Sequence, residues 1–156
     1  MATMTGERVR TMLDERGVRY EVMDHPLAYT AQEVAAAEHI SGDSFAKATL
    51  LMADGQLVMA VLPAPLKVDL EKARRVLDAT EVRLATETEF QPTFPDSELG
   101  AEPPFGHLYG LPVYLDQRLT ADTITFNAGS HRQTMSISLS DYLDLEQPVR
   151  ADLARG

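Results

Sequence analysis

A chain of 156 residues with a formal net charge of −10 and no cysteine has length enough to bury roughly 70% of its unfolded surface around one core, and its acidity excludes the broad basic face that nucleic-acid binding normally needs. The absent thiols exclude disulfides, thiolate metal sites and a cysteine nucleophile together. Met1 to Arg10 lacks the apolar segment of a signal peptide, and no run approaches the ~18 apolar residues of a membrane span, so a soluble, cytoplasmic protein is expected, with no membrane partner and no DNA partner.

Glu7 to Arg16 reads as a first helix, with Val9, Met12 and Leu13 on one side and Gly17 as its stop. Tyr20 to Met23 follows as a short strand, and Thr30-Ala31-Gln32-Glu33 is a capping-box pattern opening an alanine-rich helix that Gly42 ends. Phe45 to Met52 and Leu57 to Leu62 are apolar runs flanking Asp54-Gly55, a strong hairpin signal. With a two-residue turn Lys47 faces Leu62, and Pro63 and Pro65 end the central ladder. Val68 to Leu77 is expected as a helix, Glu81 to Ala85 as a strand and Thr86 to Phe90 as a helical turn. Leu111 to Leu115, Thr123 to Phe126 and Thr134 to Leu139 have strand character, and Ser140-Asp141-Tyr142 caps a last helix. Strands adjacent in sequence with helices grouped around them predict one α+β domain over residues 1–156, built on a mixed, mostly antiparallel, barrel-like sheet surrounded by helices.

Pro92 to Pro112 breaks this rhythm, holding five of the nine prolines together with Gly100, Gly106 and Gly110. Connections of this length are usually functional. Adjacent Pro103 and Pro104 fix φ, so the stretch Gly100 to Gly106 is expected to be stiff. Charge is uneven as well: Lys67, Lys72, Arg74, Arg75 and Arg83 outnumber the acids between Pro63 and Ala85, which suggests a narrow basic strip on an acidic body.

His25, His39, His107 and His131 form no paired metal motif, and no nucleophile elbow, P-loop or dinucleotide fingerprint occurs. Neither metal nor cofactor is expected. Three features remain. Lys47 is the only charge in its apolar strand, the proline loop is one glycine-bearing bend, and Phe126-Asn127-Ala128-Gly129-Ser130-His131 is another. Each has an ordinary reading: a lysine whose stem covers apolar surface while its head reaches water, a rigid connector, a hairpin turn. Together they offer a cation for an anionic ligand and glycine N–H groups that approach a reacting carbonyl.

Asp24-His25-Pro26, Tyr29 to Glu33, Ile40-Ser41-Gly42, Lys47, Val61-Leu62-Pro63-Ala64, Gly100-x-x-x-Pro104-Phe105-Gly106 and Asn127 to His131, in that order, resemble the YbaK and prolyl-tRNA synthetase-associated editing-domain family. The likeness runs from about Gly17 to Glu146. It implies that family's fold and an aminoacyl-tRNA deacylase acting in trans on the tRNA acceptor end, removing a small amino acid such as alanine, serine, threonine or cysteine, with a synthetase as a further partner. Carried over by position, the resemblance implies catalytic roles for Lys47, Gly100, Gly129 and His131. It implies substrate contacts at Thr49, Pro104, Phe105, Gly106, Asn127, Ala128 and Ser130. Where many members follow the lysine directly with threonine or asparagine, this chain has Ala48 and then Thr49, a difference that bears on which amino acid is accepted.

An aminoacyl ester is already labile, so positioned water and a stabilised oxyanion suffice without serine, cysteine or metal. Lys47 is expected to bind a phosphate or developing charge, the N–H groups around Gly100 and Gly129 to receive the carbonyl oxygen, and Lys67, Lys72, Arg74 and Arg75 to touch the acceptor stem. Two other readings compete: a non-catalytic module that binds a tRNA end or a synthetase, and a small-molecule esterase indifferent to the nucleotide.

Overall fold

The computed structural model describes residues 4–24 and 42–155. The expected alanine-rich helix, with its capping box, and His25 and His39 lie outside the described residues. The first helix, α1 (Met4–Glu15), buries Val9 and Leu13 completely, and Gly17 leaves it with φ +68°, the left-handed conformation that suits glycine after a helix. Strand β1 (Glu21–Asp24) follows.

Beyond a short 3-10 turn (Gly42–Ser44) come β2 (Ala46–Ala53) and β3 (Gln56–Pro63). Their register pairs Lys47 with Leu62 and Ala53 with Gln56, as a two-residue loop requires. Asp54 and Gly55 take φ of 48° and 82°, both positive, which is the type I′ turn whose twist matches the strands. The Asp54 carboxylate accepts the N–H groups of Thr80 and Glu81, at 2.9 Å for Glu81, and these bonds hold its carboxyl below the usual carboxylate range. Pro63 does not stop the ladder as expected: it forms the terminal pair with Ala46. At that last position a missing donor interrupts nothing.

Helix α2 (Leu70–Leu77) starts two residues later than predicted because the Asp69 side chain caps it, accepting from the N–H groups of Glu71 and Lys72. Strand β4 (Val82–Leu84) leads to α3 (Glu87–Phe90), a single turn closed by the Thr86–Glu89 capping box. The proline-rich stretch has no strand and one 3-10 turn (Gly106–Tyr109). It is nonetheless inside: Ala101 and Phe105 are fully buried. Then come β5 (Val113–Asp116), β6 (Thr123–Ser130), β7 (Gln133–Ser138), α4 (Leu139–Glu146) and β8 (Val149–Ala151). Ser138, not Ser140, caps α4, accepting from the Asp141 N–H at 3.0 Å.

The strands form two sheets, β1-β7-β6 and β4-β2-β3-β5-β8. Four pairings are antiparallel, whereas β3–β5 and β5–β8 are parallel. The α+β class and the mixed, mostly antiparallel pairing are as predicted. The barrel is not: the sheets do not close, and among the described residues one parallel bridge, Phe45 to Thr125, joins them.

Side chains alternate across β2 and β3, so the five-stranded sheet carries a core on each face. Ala46, Leu50, Met59 and Val61 meet α1, Phe105, Phe126 and Tyr142 on one side. Leu51, Val58, Ala60 and Leu62 meet Ala73 of α2, Leu153 and Ala154 on the other. Gly106 is fixed by crowding, since a Cβ there would stand 2.6 Å from Val113 Cγ2 and 2.9 Å from the Leu111 carbonyl oxygen. Gly106→Ala is therefore expected to lower stability by about 1–3 kcal/mol, read as a lower urea midpoint with unchanged slope.

Candidate active site

Lys47 and Thr49 project from the α2 face of the sheet, because their cross-strand neighbours Leu62 and Ala60 belong to that core. The Lys47 ammonium donates to the Ala64 carbonyl at 3.1 Å, the first residue beyond the ladder. It stands half-buried, and burial first, then the charge of Lys67, push its pKa below the ordinary lysine value. Beside it lies a cleft of about 350 Å³ lined by Lys47, Thr49, Lys67, Val68, Leu70, Leu84 and Arg155. Three of these seven are bases and none is an acid, in a chain whose net charge is −10.

The glycine bends meet elsewhere, on the edge of β6 away from β7. That edge touches Phe45 at Thr125. At Gly129 it meets the proline loop, where Glu98 donates to the Gly129 carbonyl and Gly129 donates to the Ala101 carbonyl, both at 2.9 Å. Gly129 (φ +86°) and Gly100 (φ +83°) both take the left-handed conformation. His131, 3% exposed, clamps the loop: its Nε2 lies 2.5 Å from the Leu99 carbonyl oxygen, and its ring packs on Gly100. The N–H groups singled out in the sequence are already engaged here, Gly129 with Ala101 and Gly100 with the Glu102 carboxylate at 3.3 Å.

Between Thr125 and Gly129 the edge of β6 passes from Phe45, the residue before β2, to the proline loop. Asn127 lies in that span. It lies two residues past Thr125, the one residue of β6 bridged to Phe45. It is 6% exposed, and its Oδ1 is buried with no hydrogen-bond partner, an arrangement that buried polar groups rarely adopt without a ligand or water. Lys47, Thr49 and Lys67 thus form one group and Gly100, Gly129 and His131 another, with Asn127 on β6 between Thr125 and Gly129.

The remaining predicted residues serve the frame in this structure. Phe105 is fully buried, packed edge-on against Phe126 and Tyr142. The Pro104 carbonyl accepts the Tyr142 hydroxyl at 2.6 Å, Ala128 lies in the core, and the Ser130 Oγ accepts the Arg132 N–H. In the basic strip, Lys72 binds Asp152 and the Ala154 carbonyl, and Arg74 and Arg75 both pair with Glu71. Of its four candidates, Lys67 alone faces the Lys47 cleft.

Two residues escaped the sequence reading. Arg155 lines the cleft, and nothing in its local sequence announces this. Glu102, 6% exposed with its carboxyl pushed up by burial, sits inside the Gly100-x-x-x-Pro104 stretch and holds the Gly100 N–H. In sequence it is the last of five acids in the base-free stretch from Thr86 to Glu102, which reads as solvated charge.

The aminoacyl-tRNA editing domain family matches residues 25–145, and the chain belongs to that family. A crystal structure of a proposed trans-editing enzyme for prolyl-tRNA synthetase superimposes with a TM-score of 0.86 at 26% identity, covering 97% of this chain and 98% of that one. A scaffold used for epitope backbone grafting by computational design reaches 0.85 at 25% identity, covering 97% of both chains. A hypothetical protein at 18% identity, covering 94% of this chain and 99% of that one, shares the fold with a TM-score of 0.85. No curated protein matches the chain significantly.

Proposed function

We propose that this protein is a trans-editing deacylase, a hydrolase that removes a wrongly attached small amino acid, alanine, serine, threonine or cysteine, from the acceptor end of tRNA. One observation carries the reading: a half-buried ammonium in a cleft whose described lining holds three bases and no acid, on a chain of net charge −10. Such a cleft selects a negatively charged segment where the rest of the surface repels it. Action in trans is supported by the 98% coverage of the trans-editing enzyme noted above, and a synthetase partner would supply affinity that the acidic surface withholds.

In the reaction, a water oxygen adds to the ester carbonyl carbon and the carbonyl oxygen becomes an oxyanion. Collapse then breaks the bond to the ribose oxygen, which takes a proton and leaves as the free tRNA end. Lys47 holds a terminal phosphate or the developing charge, and the neighbouring ribose hydroxyl orients the water. The Gly100 N–H is the oxyanion donor, since its 3.3 Å contact to Glu102 is long and readily exchanged for a stronger acceptor. The Gly129 N–H, at 2.9 Å from Ala101, fixes the loop, and His131 keeps Gly100 in place. No metal and no covalent intermediate are required, because the ester is labile and the site supplies position and charge.

The engaged state of both glycine N–H groups favours a second reading, a module of the same fold that binds a tRNA end without cleaving it. Purified protein incubated with tRNAs mischarged with each of the four amino acids separates the two. Release of one amino acid, with correctly charged tRNA spared, is the expected result; binding without release would leave only the module.

A further inference from the structure

The segment after β8 is docked with more bonds than its length needs. The fully buried Asp116 carboxylate accepts the N–H groups of Leu153 and Ala154 at 2.9 and 3.1 Å. The Leu153 carbonyl accepts the Asp69 N–H at 2.7 Å, the Lys72 ammonium donates to the Ala154 carbonyl at 2.9 Å, and the Arg155 N–H donates to the Lys67 carbonyl at 2.9 Å. An antiparallel bridge pairs Val68 with Ala154. A buried carboxylate spent on two backbone N–H groups fixes the path of the chain, and that path ends with Arg155 in the cleft that holds Lys47 and Lys67.

Three cations gathered with no acid among the described lining residues repel one another, and the depressed Lys47 pKa, with burial as its main cause and Lys67 as the second, registers part of that repulsion. The neighbouring bases behave otherwise: Lys72, Arg74 and Arg118 each have a carboxylate within 3.1 Å. A group of three with no acid beside it among the described residues that line the cleft is stabilised by an arriving anion. The cleft also has an apolar wall of Val68, Leu70 and Leu84, the last 53% exposed. Its volume of about 350 Å³ lies at the small end of ligand pockets, roughly 300–1,000 Å³, which suits one unpaired nucleotide and excludes a helical stem.

We propose that Arg155 and Lys67 form a phosphate clamp for the single-stranded nucleotide at the tRNA 3′ end, with its base or ribose against Val68, Leu70 and Leu84, so that Lys47 meets the terminal residue of a strand already held. The inference rests on the tRNA-editing reading and adds to it a defined subsite and a residue, Arg155, outside the matched residues 25–145. Arg155 binds and positions the substrate; it takes no part in bond breaking.

The test uses the full chain with Arg155→Ala, Arg155→Lys and, as a control at an exposed base outside the cleft, Arg19→Ala. Single-turnover deacylation should show an apparent substrate constant raised about tenfold for Arg155→Ala, largely recovered in Arg155→Lys, and a log–log salt slope shallower by about 1. In a second arm, uncharged tRNA and the same tRNA lacking its terminal adenosine are titrated onto each protein. Truncation should weaken wild-type binding several-fold and leave Arg155→Ala nearly indifferent. Equal substrate constants and equal salt slopes for wild type and Arg155→Ala, or equal truncation effects in both, overturn the clamp. If Lys47→Ala is inactive in that case, the editing reading stands without it. If wild type releases no amino acid yet shows the Arg155-dependent truncation effect, the deacylase reading fails and the nucleotide subsite survives.

Discussion

Lys47→Ala is expected to reduce deacylation of the preferred mischarged tRNA at least a hundredfold while the protein keeps its far-UV circular dichroism and a cooperative unfolding transition. Losing one preorganised charge contact to a transition state typically costs ~3 kcal/mol, and β2 carries no second lysine to replace this ammonium. The fold tolerates the change because Lys47 contributes one hydrogen bond to a carbonyl at a strand end, and removal of a half-buried charge relieves desolvation. Deacylation at the wild-type rate by this variant would remove the proposed mechanism. The pH dependence follows from the same burial. The Lys47 pKa is held below its ordinary value of 10.5, chiefly by desolvation, so rate should fall as pH rises through that lowered value, earlier than an exposed lysine would dictate. Stability moves oppositely. Between the lowered folded pKa and 10.5 the unfolded chain binds more protons than the folded one, so the Lys47 contribution to stability rises with pH across that window. Urea midpoints over a pH series should rise less steeply there for Lys47→Met than for wild type; identical profiles would mean that Lys47 titrates as a solvated side chain.

Much of the frame was legible because local chemistry dictates it. Asp54-Gly55 demands a tight turn, the turn fixes the register, and the register alone puts Lys47 opposite Leu62. Thr86 and Glu89 specify their cap within four residues. The illegible parts depend on partners distant in sequence. Strand β8 has three residues and no alternation to read, and it exists because β5 offers a parallel edge. The sheet order that opens the expected barrel is set by packing of two cores, which no local pattern states. Among Lys67, Lys72, Arg74 and Arg75 the sequence shows four similar bases. Only the fold reveals that three meet carboxylates and that Lys67 meets Lys47 and Arg155. The glycines of both bends are legible in the sequence, and the fold joins the bends, but the Gly129 N–H is engaged by the Ala101 carbonyl and the Gly100 N–H by the Glu102 carboxylate of its own loop.

Phe105→Ala should produce the largest loss of stability, about 3–5 kcal/mol, from a total that for domains is only about 5–15 kcal/mol. The ring is fully buried, with centroids of Phe126 at 5.3 Å and Tyr142 at 5.4 Å in edge-on packing. It also anchors the loop that carries Gly100, because the next turn begins with the Leu108 N–H on the Phe105 carbonyl and the preceding Pro104 carbonyl is tied to Tyr142. Within that turn the His107 N–H donates to the Glu146 carboxylate at 2.9 Å, so the loop would stay attached to α4 while losing its central wedge. Deacylation should then decline at temperatures well below global unfolding, since Gly100 would no longer be held against His131. Calorimetry and the temperature dependence of the rate, measured on one preparation, test both parts. A thermal midpoint within a degree or two of wild type would mean that the aromatic cluster does not carry the loop, and the stiffness inferred for Gly100 to Gly106 would have to come from Pro103 and Pro104 alone.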